Sequence, residues 1–297
     1  VSGLITLDGL GQDRLTDLLD RAEGYVGSPA STEFAGATVT TAFFEVSTRT
    51  RLSFERAAGL LGASVMSFSP ELSSTTKGES LKDTILTLTA IGTDAFVIRH
   101  RHADAAELAA RWSGRPVISG GLGSREHPTQ TLADALTLRQ EFGRLDGVRM
   151  AIVGDIRNSR VARGHLIALP VLGVEITLVG PTPFLPPANP WGVRTSTDLD
   201  EELGDIDVVY LLRIQSERGS SARIPSTAGY ARRYGMNEDR LSMMKPTGVV
   251  MHPGPMNRGV EIDDVTADGE RSLILRQVAN GIPVRMAVIA KALEGEA

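Results

Sequence analysis

Within FFEVSTRTRLSFE, Phe43 to Glu55, three hydroxyls and two guanidiniums crowd one bend: Ser47, Thr48, Arg49, Thr50 and Arg51. Like charges at Arg49 and Arg51 repel unless something negative sits near them. Where a strand hands over to a helix, free backbone N–H groups and a dipole of roughly half a charge make an anion site. Arg49 adds a planar fork that suits phosphate oxygens. The same residues also read as a plain serine/threonine helix cap followed by solvated arginines. The nucleotide-binding pattern GxxxxGK[ST] is absent.

Further residues of this kind recur along the chain. VIRHRH places Arg99 at the end of an apolar run, as an anion ligand or an ordinary ion-pair partner. His100 and His102 share a face there, but no carboxylate or further histidine completes a metal cluster, so they read as structural and no metal is expected. GSREHPTQ sets His127 and Gln130 around a helix start. A neutral imidazole there could donate one hydrogen bond to a polarised carbonyl, or simply cap the helix. No GxSxG elbow supports a serine nucleophile. IVGDIRNSR resembles the first turn of a dinucleotide fold but lacks GxGxxG, which excludes NAD and leaves Arg160 to meet a carboxylate. LLRIQSER puts Arg213 and Gln215 on one side of an extended segment, a fork and an amide for a second anionic group. Either alone also reads as surface decoration.

The elements that must position these residues alternate. A first helix is predicted over Leu10 to Tyr25, then the strand TVTTAFF and the helix RLSFERAAGLLG, with Phe54, Ala57, Ala58 and Leu61 on one face. SVMSFS, DAFVIR and PVISGG read as strands, SLKDTILTLTAIG and ADAAELAARW as helices. Ser80 and Asp83 stand in capping-box spacing, and Pro128 falls in the first turn of HPTQTLADALTLRQEF. A second series follows Gly147: strands VRMAIVGD, EITLVGP, DIDVVYLL and GVVM, and the helix RVARGHLIALPVLG, which Pro170 should end or kink. RIQSERGSSARIPSTAGYARRYGM reads as one long polar loop, and RSLILRQVANG and PVRMAVIAKAL as two closing helices. The fold class is therefore α/β, with two parallel-sheet α/β domains, 1–143 and 144–281. In such sheets ligands collect at the carboxyl ends of strands, where these arginines and histidines fall.

Bulk properties narrow the classes further. A chain of 297 residues with 41% hydrophobic content can bury a core large enough for two domains. A formal net charge of -5 argues against a broad nucleic-acid surface while allowing a small cationic pocket. With 0 cysteines there are no disulfides, thiolate metal sites or cysteine nucleophile. No signal peptide or membrane-length apolar run is seen, so a cytoplasmic protein free of membrane and nucleic-acid partners is expected.

Taken together, the motifs resemble the aspartate/ornithine transcarbamylase family essentially end to end. FFEVSTRTRLSFE, SSTTKGESLKDT, HPTQTLADA, SRVAR, LLRIQSER, MHPGPMNRGVEI and RQVANGIPVRMAV occur in the family's order. The resemblance implies a carbamoyl-phosphate-binding domain followed by an aspartate-binding domain, with C-terminal helices (roughly 282–297) packing back on the first. Ser47, Thr48, Arg49 and Thr50 would hold the phosphate of carbamoyl phosphate, with Arg99 beside them. Thr50, Arg99 and His127 would contact its carbonyl oxygen, and Arg49, Thr50, Arg99 and His127 would be the catalytic set. Gln130 and the carbonyls of Gly254 and Pro255 would hold the amino group. Arg160, Arg213, Gln215 and Lys77 would bind L-aspartate, with Ser73 and Lys77 reaching in from a neighbouring subunit of a homotrimer. Arg51 would be a structural ion-pair partner. The implied reaction gives N-carbamoyl-L-aspartate and phosphate, an early step of pyrimidine synthesis, without cofactor. A regulatory chain or a dihydroorotase is a possible companion of the trimer.

The aspartate branch is favoured over the ornithine branch because HPGP stands where the latter carries a cysteine motif, and because Arg213 would repel an ammonium side chain. The chain departs from the family pattern at Val46 (usually proline), Leu122 (usually aspartate), Ser119-Gly120 (commonly Asn-Ala) and Gly164-His165 (commonly Ser-Asn). Loss of the aspartate at 122 removes a supporting carboxylate expected near His127. Two alternatives follow: a transcarbamylase for another amino acceptor, and a non-catalytic transcarbamylase-like subunit.

Overall fold

A computed structural model describes residues 3–69, 78–214 and 226–295. The roles expected of Ser73, Lys77 and Gln215 fall outside the described residues. The chain divides into two compact units, Val1–Leu136 with Ala279–Ala297, and Thr137–Val278.

In the first unit the strands are β1 (Thr38–Phe43), β2 (Ser64–Phe68), β3 (Ala95–His100) and β4 (Val117–Leu122). They form one parallel sheet in the order β2-β1-β3-β4. β1, β3 and β4 are buried along most of their length, as expected where helices cover both faces of a parallel sheet, whereas edge strand β2 is largely exposed. The helices are α1 (Gln12–Gly24), α2 (Thr48–Leu60), α3 (Leu81–Ala90), α4 (Ala105–Ser113) and the first turns of α5 (Pro128–Phe142). α1 buries Leu15, Leu18, Leu19 and Ala22, one stripe at helical spacing. α2 buries Phe54, Ala57 and Ala58, three of the four expected positions, and Leu61 is buried just beyond its end. At the start of α3 the Asp83 N–H donates to Ser80 Oγ over 3.2 Å, and that hydroxyl donates to the Asp83 carboxylate over 2.7 Å.

In the second unit the strands are β5 (Arg149–Val153), β6 (Glu175–Val179), β7 (Arg194–Ser196), β8 (Val208–Leu211) and β9 (Val249–Met251). All pair in parallel, in the order β7-β6-β5-β8-β9. α6 (Arg160–Ala168) follows β5 and stops two residues before Pro170, which opens a 3-10 turn. α7 (Thr227–Tyr234), α8 (Glu238–Met243) and α9 (Asp264–Asp268) complete this unit with the start of α10 (Ile274–Glu294). Among the described residues no helix is long and apolar enough to cross a membrane.

The structure corrects the sequence reading in three places. The two expected closing helices are one, α10, with Pro283 inside it. An interior proline costs about 3 kcal/mol. The buried run Val284, Met286, Ala287, Val288 and Ile289 offsets it, since each large apolar side chain contributes about 1.5–3 kcal/mol on burial. This part of α10 packs within the first unit, where Lys291 pairs with Asp17 at 2.6 Å and the Arg285 guanidinium lies 5.1 Å above the Phe54 ring. Second, the tail of the expected polar loop is helical. In α7, Tyr230 and Tyr234 bury at i, i+4, and Ser226 Oγ accepts the Gly229 N–H at 3.1 Å. Third, β7 was missed because Arg-Thr-Ser carries no apolar alternation, and its place comes from pairing with β6.

Candidate active site

Three adjacent strands of the first unit deliver the expected phosphate and carbonyl ligands to one edge. Phe43 pairs with Arg99 across β1 and β3, and the Phe44 N–H donates to the Arg99 carbonyl at 2.8 Å. The chains leaving both strands therefore emerge side by side. Ser47 occupies the cap position of α2 but makes no side-chain cap hydrogen bond, so the plain capping alternative lacks its defining contact. No acidic residue lies in the first turn of α2, and its positive end is not neutralised from within. Arg49 is exposed there, and among the described residues no ion pair holds it. Arg51 turns instead to Glu55 (3.8 Å) and Ser69 Oγ (3.1 Å), in line with its expected structural place.

Buried Thr50 faces buried His127 from the other side, Oγ1 to Nε2 at 3.4 Å. This is a long contact of the kind that tightens when substrate arrives. The His127 carbonyl accepts the first helical N–H groups of α5, from Gln130 at 3.0 Å and Thr131 at 3.2 Å. Arg99 donates to the Gly120 carbonyl at 3.2 Å, with Glu45 3.7 Å from its Nε. A Cβ on Gly120 would lie 3.3 Å from the Ile98 carbonyl and the Phe43 ring and 3.5 Å from Arg99 Cβ, so glycine there gives the arginine room. His100 accepts the His102 N–H at 3.0 Å and packs its ring edge-on to Phe44. Leu122 is buried in the apolar core of this unit with Ile98, Ala105 and Ala109. The position where the family usually has aspartate is given over to packing.

One contact here was not anticipated. Glu126, immediately before His127, is buried and accepts hydrogen bonds from the Thr6 hydroxyl and the Leu7 N–H, the latter at 3.1 Å. Burial pushes its carboxyl above the usual range, against the pull of those two donors. A carboxyl raised on folding contributes stability that is present below its unfolded value and is lost as pH rises through the folded one. Glu126→Gln keeps an acceptor for Leu7 and removes the charge. Its stability relative to the unsubstituted protein is expected to improve from about pH 4 to about pH 7, read from urea unfolding at each pH. A difference independent of pH would contradict this.

In the second unit the four expected residues that are described again follow adjacent strands. Arg160 opens α6 after β5, Arg213 follows β8, and Gly254 and Pro255 follow β9. The loop before Arg160 is held by Asp155, whose two oxygens accept from Asn158 Nδ2 at 3.0 and 3.1 Å, and by Ser159, which caps α6 through the Ala162 N–H. Burial raises the Asp155 carboxyl above its usual range. Gly154 has φ +126°, and a Cβ there would stand 3.1 Å from the Leu212 carbonyl, so this turn requires glycine.

Arg213 is positioned by a clamp that the sequence did not reveal. Fully buried Glu261 accepts the Ile214 N–H at 2.8 Å, the Asn257 N–H at 2.6 Å and Asn257 Nδ2 at 2.8 Å. Asn257 Nδ2 also lies 3.3 Å from the Ile214 carbonyl, so both peptide groups of the residue after Arg213 are gripped. In Glu261→Gln one of these donors meets an NH2. The variant is expected to lose about 1–3 kcal/mol of stability, measured by urea unfolding. An unchanged midpoint would show that the clamp carries no load. His165 is buried with Nδ1 2.7 Å from the Val161 carbonyl and its ring 4.5 Å from that of Tyr210.

Comparison with known proteins matches both halves. Residues 3–140 match the aspartate/ornithine carbamoyltransferase carbamoyl-P binding domain, and residues 146–292 the Asp/Orn binding domain. The chain belongs to the aspartate/ornithine carbamoyltransferase family. It is 52% identical over 261 residues to the aspartate carbamoyltransferase catalytic subunit of Thermobifida fusca, covering 88% of this chain and 83% of that one. The aspartate transcarbamoylase of Trypanosoma cruzi, solved with carbamoyl aspartate and phosphate, superposes with a TM-score of 0.85 at 30% identity, over 97% of this chain and 95% of that one. The ornithine carbamoyltransferase of Thermus thermophilus gives the same TM-score, 0.85, at 25% identity over 98% of both chains. The fold is thus shared by both branches, and side chains must discriminate between acceptors.

Proposed function

We propose that the chain transfers the carbamoyl group of carbamoyl phosphate to the amine of L-aspartate, giving N-carbamoyl-L-aspartate and phosphate. The observation that carries this reading is the start of α2, an un-neutralised helix terminus with Arg49 beside it and the Thr50–His127 pair next in line. Ser47, Thr48, Arg49 and Thr50 bind the phosphate, where backbone N–H groups, hydroxyls and a guanidinium meet its charge. Arg99, Thr50 and His127 draw electron density from the carbonyl oxygen, and Gln130 with the Gly254 and Pro255 carbonyls takes the amino group. Arg160, Arg213 and Gln215 take the two carboxylates of aspartate, with Lys77.

In this reading the amine nitrogen bonds to the carbamoyl carbon as the carbon–oxygen bond to phosphate breaks, and the amine proton is lost. The leaving group is already activated, so no cofactor is required. Alignment of the two reactants can supply roughly 7–11 kcal/mol of barrier reduction. A homotrimer with Ser73 and Lys77 supplied by a neighbour fits the exposed edge strand β2 and the exposed apolar side chains Val46, Leu52, Leu86 and Ile91 of the first unit.

Phosphate release with carbamoyl phosphate and a panel of amines tests the assignment. L-aspartate is expected to be preferred and L-ornithine inert, since Arg213 repels an ammonium. Equal or better turnover with another amine would move the chain to a different acceptor. Tight binding of a bisubstrate phosphonate without turnover would make it a non-catalytic relative.

A further inference from the structure

We infer that Asp134 is a positioning residue that decides which end of the Gln130 amide meets the carbamoyl group. The inference rests on the function proposed above and assigns a donor-specificity role to a residue outside the contact set. Asp134 follows Gln130 by one helical turn on α5, and Gln130 Nε2 donates to Asp134 Oδ1 at 2.9 Å. The Asp134 side chain is completely buried, whereas Gln130 is half-buried.

A carboxylate accepts and does not donate, so the amide nitrogen of Gln130 has to face it. The amide oxygen is thereby turned the other way, as an acceptor. Without that constraint the two ends of a glutamine amide are nearly isosteric, and rotation by half a turn would present NH2 to whatever stands opposite. A carbamoyl group is distinguished from an acyl group of the same shape only by its own NH2. An acceptor held toward it favours carbamoyl over acetyl, and a donor there would repel it.

A charge this deep needs compensation. One cation that acts on it through space is Arg285 on α10, which is buried, donates to the Gly281 carbonyl at 2.8 Å and stacks over Phe54. Burial brings its guanidinium down to about 10, and the Asp134 charge acts against that shift. The opposite charges of Arg285 and Asp134 thus favour one another within a single unit of the chain.

The test compares carbamoyl phosphate with acetyl phosphate, which carries a methyl in place of the NH2. In acetyl transfer the aspartate nitrogen bonds to the acetyl carbon, the carbon–oxygen bond to phosphate breaks, and the amine proton is released. In Asp134→Asn either end of the new amide can face Gln130. The kcat/KM for carbamoyl phosphate is expected to fall at least about tenfold, and that for acetyl phosphate by less than about twofold. In a Gln130→Ala background the same substitution should leave the ratio of the two donors unchanged.

Equal losses on both donors, or a further change of ratio in the Gln130→Ala background, would overturn the inference. Asp134→Glu, which shifts the carboxylate by one methylene, should lower the same ratio less steeply and serves if Asp134→Asn does not fold. An unsubstituted protein that releases no phosphate from carbamoyl phosphate would overturn the proposed function, and this inference with it. Normal donor discrimination in a folded Asp134→Asn protein would overturn the inference alone.

Discussion

Arg49→Ala is expected to lower turnover by at least about a hundredfold, the usual cost of one preorganised donor. Arg49 owes this weight to its surroundings. It stands in the first turn of α2, where Ser47 makes no cap bond, no acidic side chain competes, and among the described residues no ion pair engages the guanidinium. A planar fork there binds phosphate oxygens in pairs and meets the charge that grows on them as the carbon–oxygen bond breaks. Alanine leaves the helix terminus and hydroxyls but removes that fork. Arg49→Lys should recover only part of the loss, because an ammonium supplies charge without bidentate geometry. Both variants should keep their unfolding free energies in urea within about 0.5 kcal/mol, since Arg49 is exposed. Steady-state phosphate release decides the matter, and near-normal turnover in the alanine variant would count against the site.

His127→Ala should have an effect of the same order, about a hundredfold or more, and chiefly on kcat. His127 is buried, faces Thr50 and opens α5. Its function as proposed is to stabilise charge on the carbonyl oxygen, which is greatest at the tetrahedral stage, so losing it affects the transition state more than substrate binding. His127→Gln, which keeps a donor, should retain more activity than alanine. A loss confined to KM would instead mark His127 as a ground-state contact.

Several elements were legible because their information is local. The stripe on α1, the capping pair Ser80–Asp83, and the apolar runs of β1, β3 and β4 need only periods of 3.6 or 2 and nearby side chains to be recognised. α10 was divided at Pro283 because a local rule allowed for the missing N–H but not for the apolar packing beyond it. Likewise α7 was hidden by arginines and glycines, although the burial of Tyr230 and Tyr234 decides its conformation. The motif MHPGPMNRGVEI was visible, yet nothing near Glu261 in the chain pointed to Ile214, 47 positions earlier. Glu126 was hidden in the same way by the 119 positions that separate it from Leu7.

By itself, the sequence determined which residue types stand just after the strands, the two α/β series that carry them, and the family to which their order belongs. Only the tertiary structure decided the pairing that sets Phe43 beside Arg99, the turn of His127 toward Thr50, and the buried carboxylates that grip neighbouring backbone and amide groups. The division has a physical cause. Periodicity and helix-terminus chemistry act within a few residues, whereas a buried carboxylate is tolerated only where distant donors converge on it, and that convergence exists only after the chain has packed.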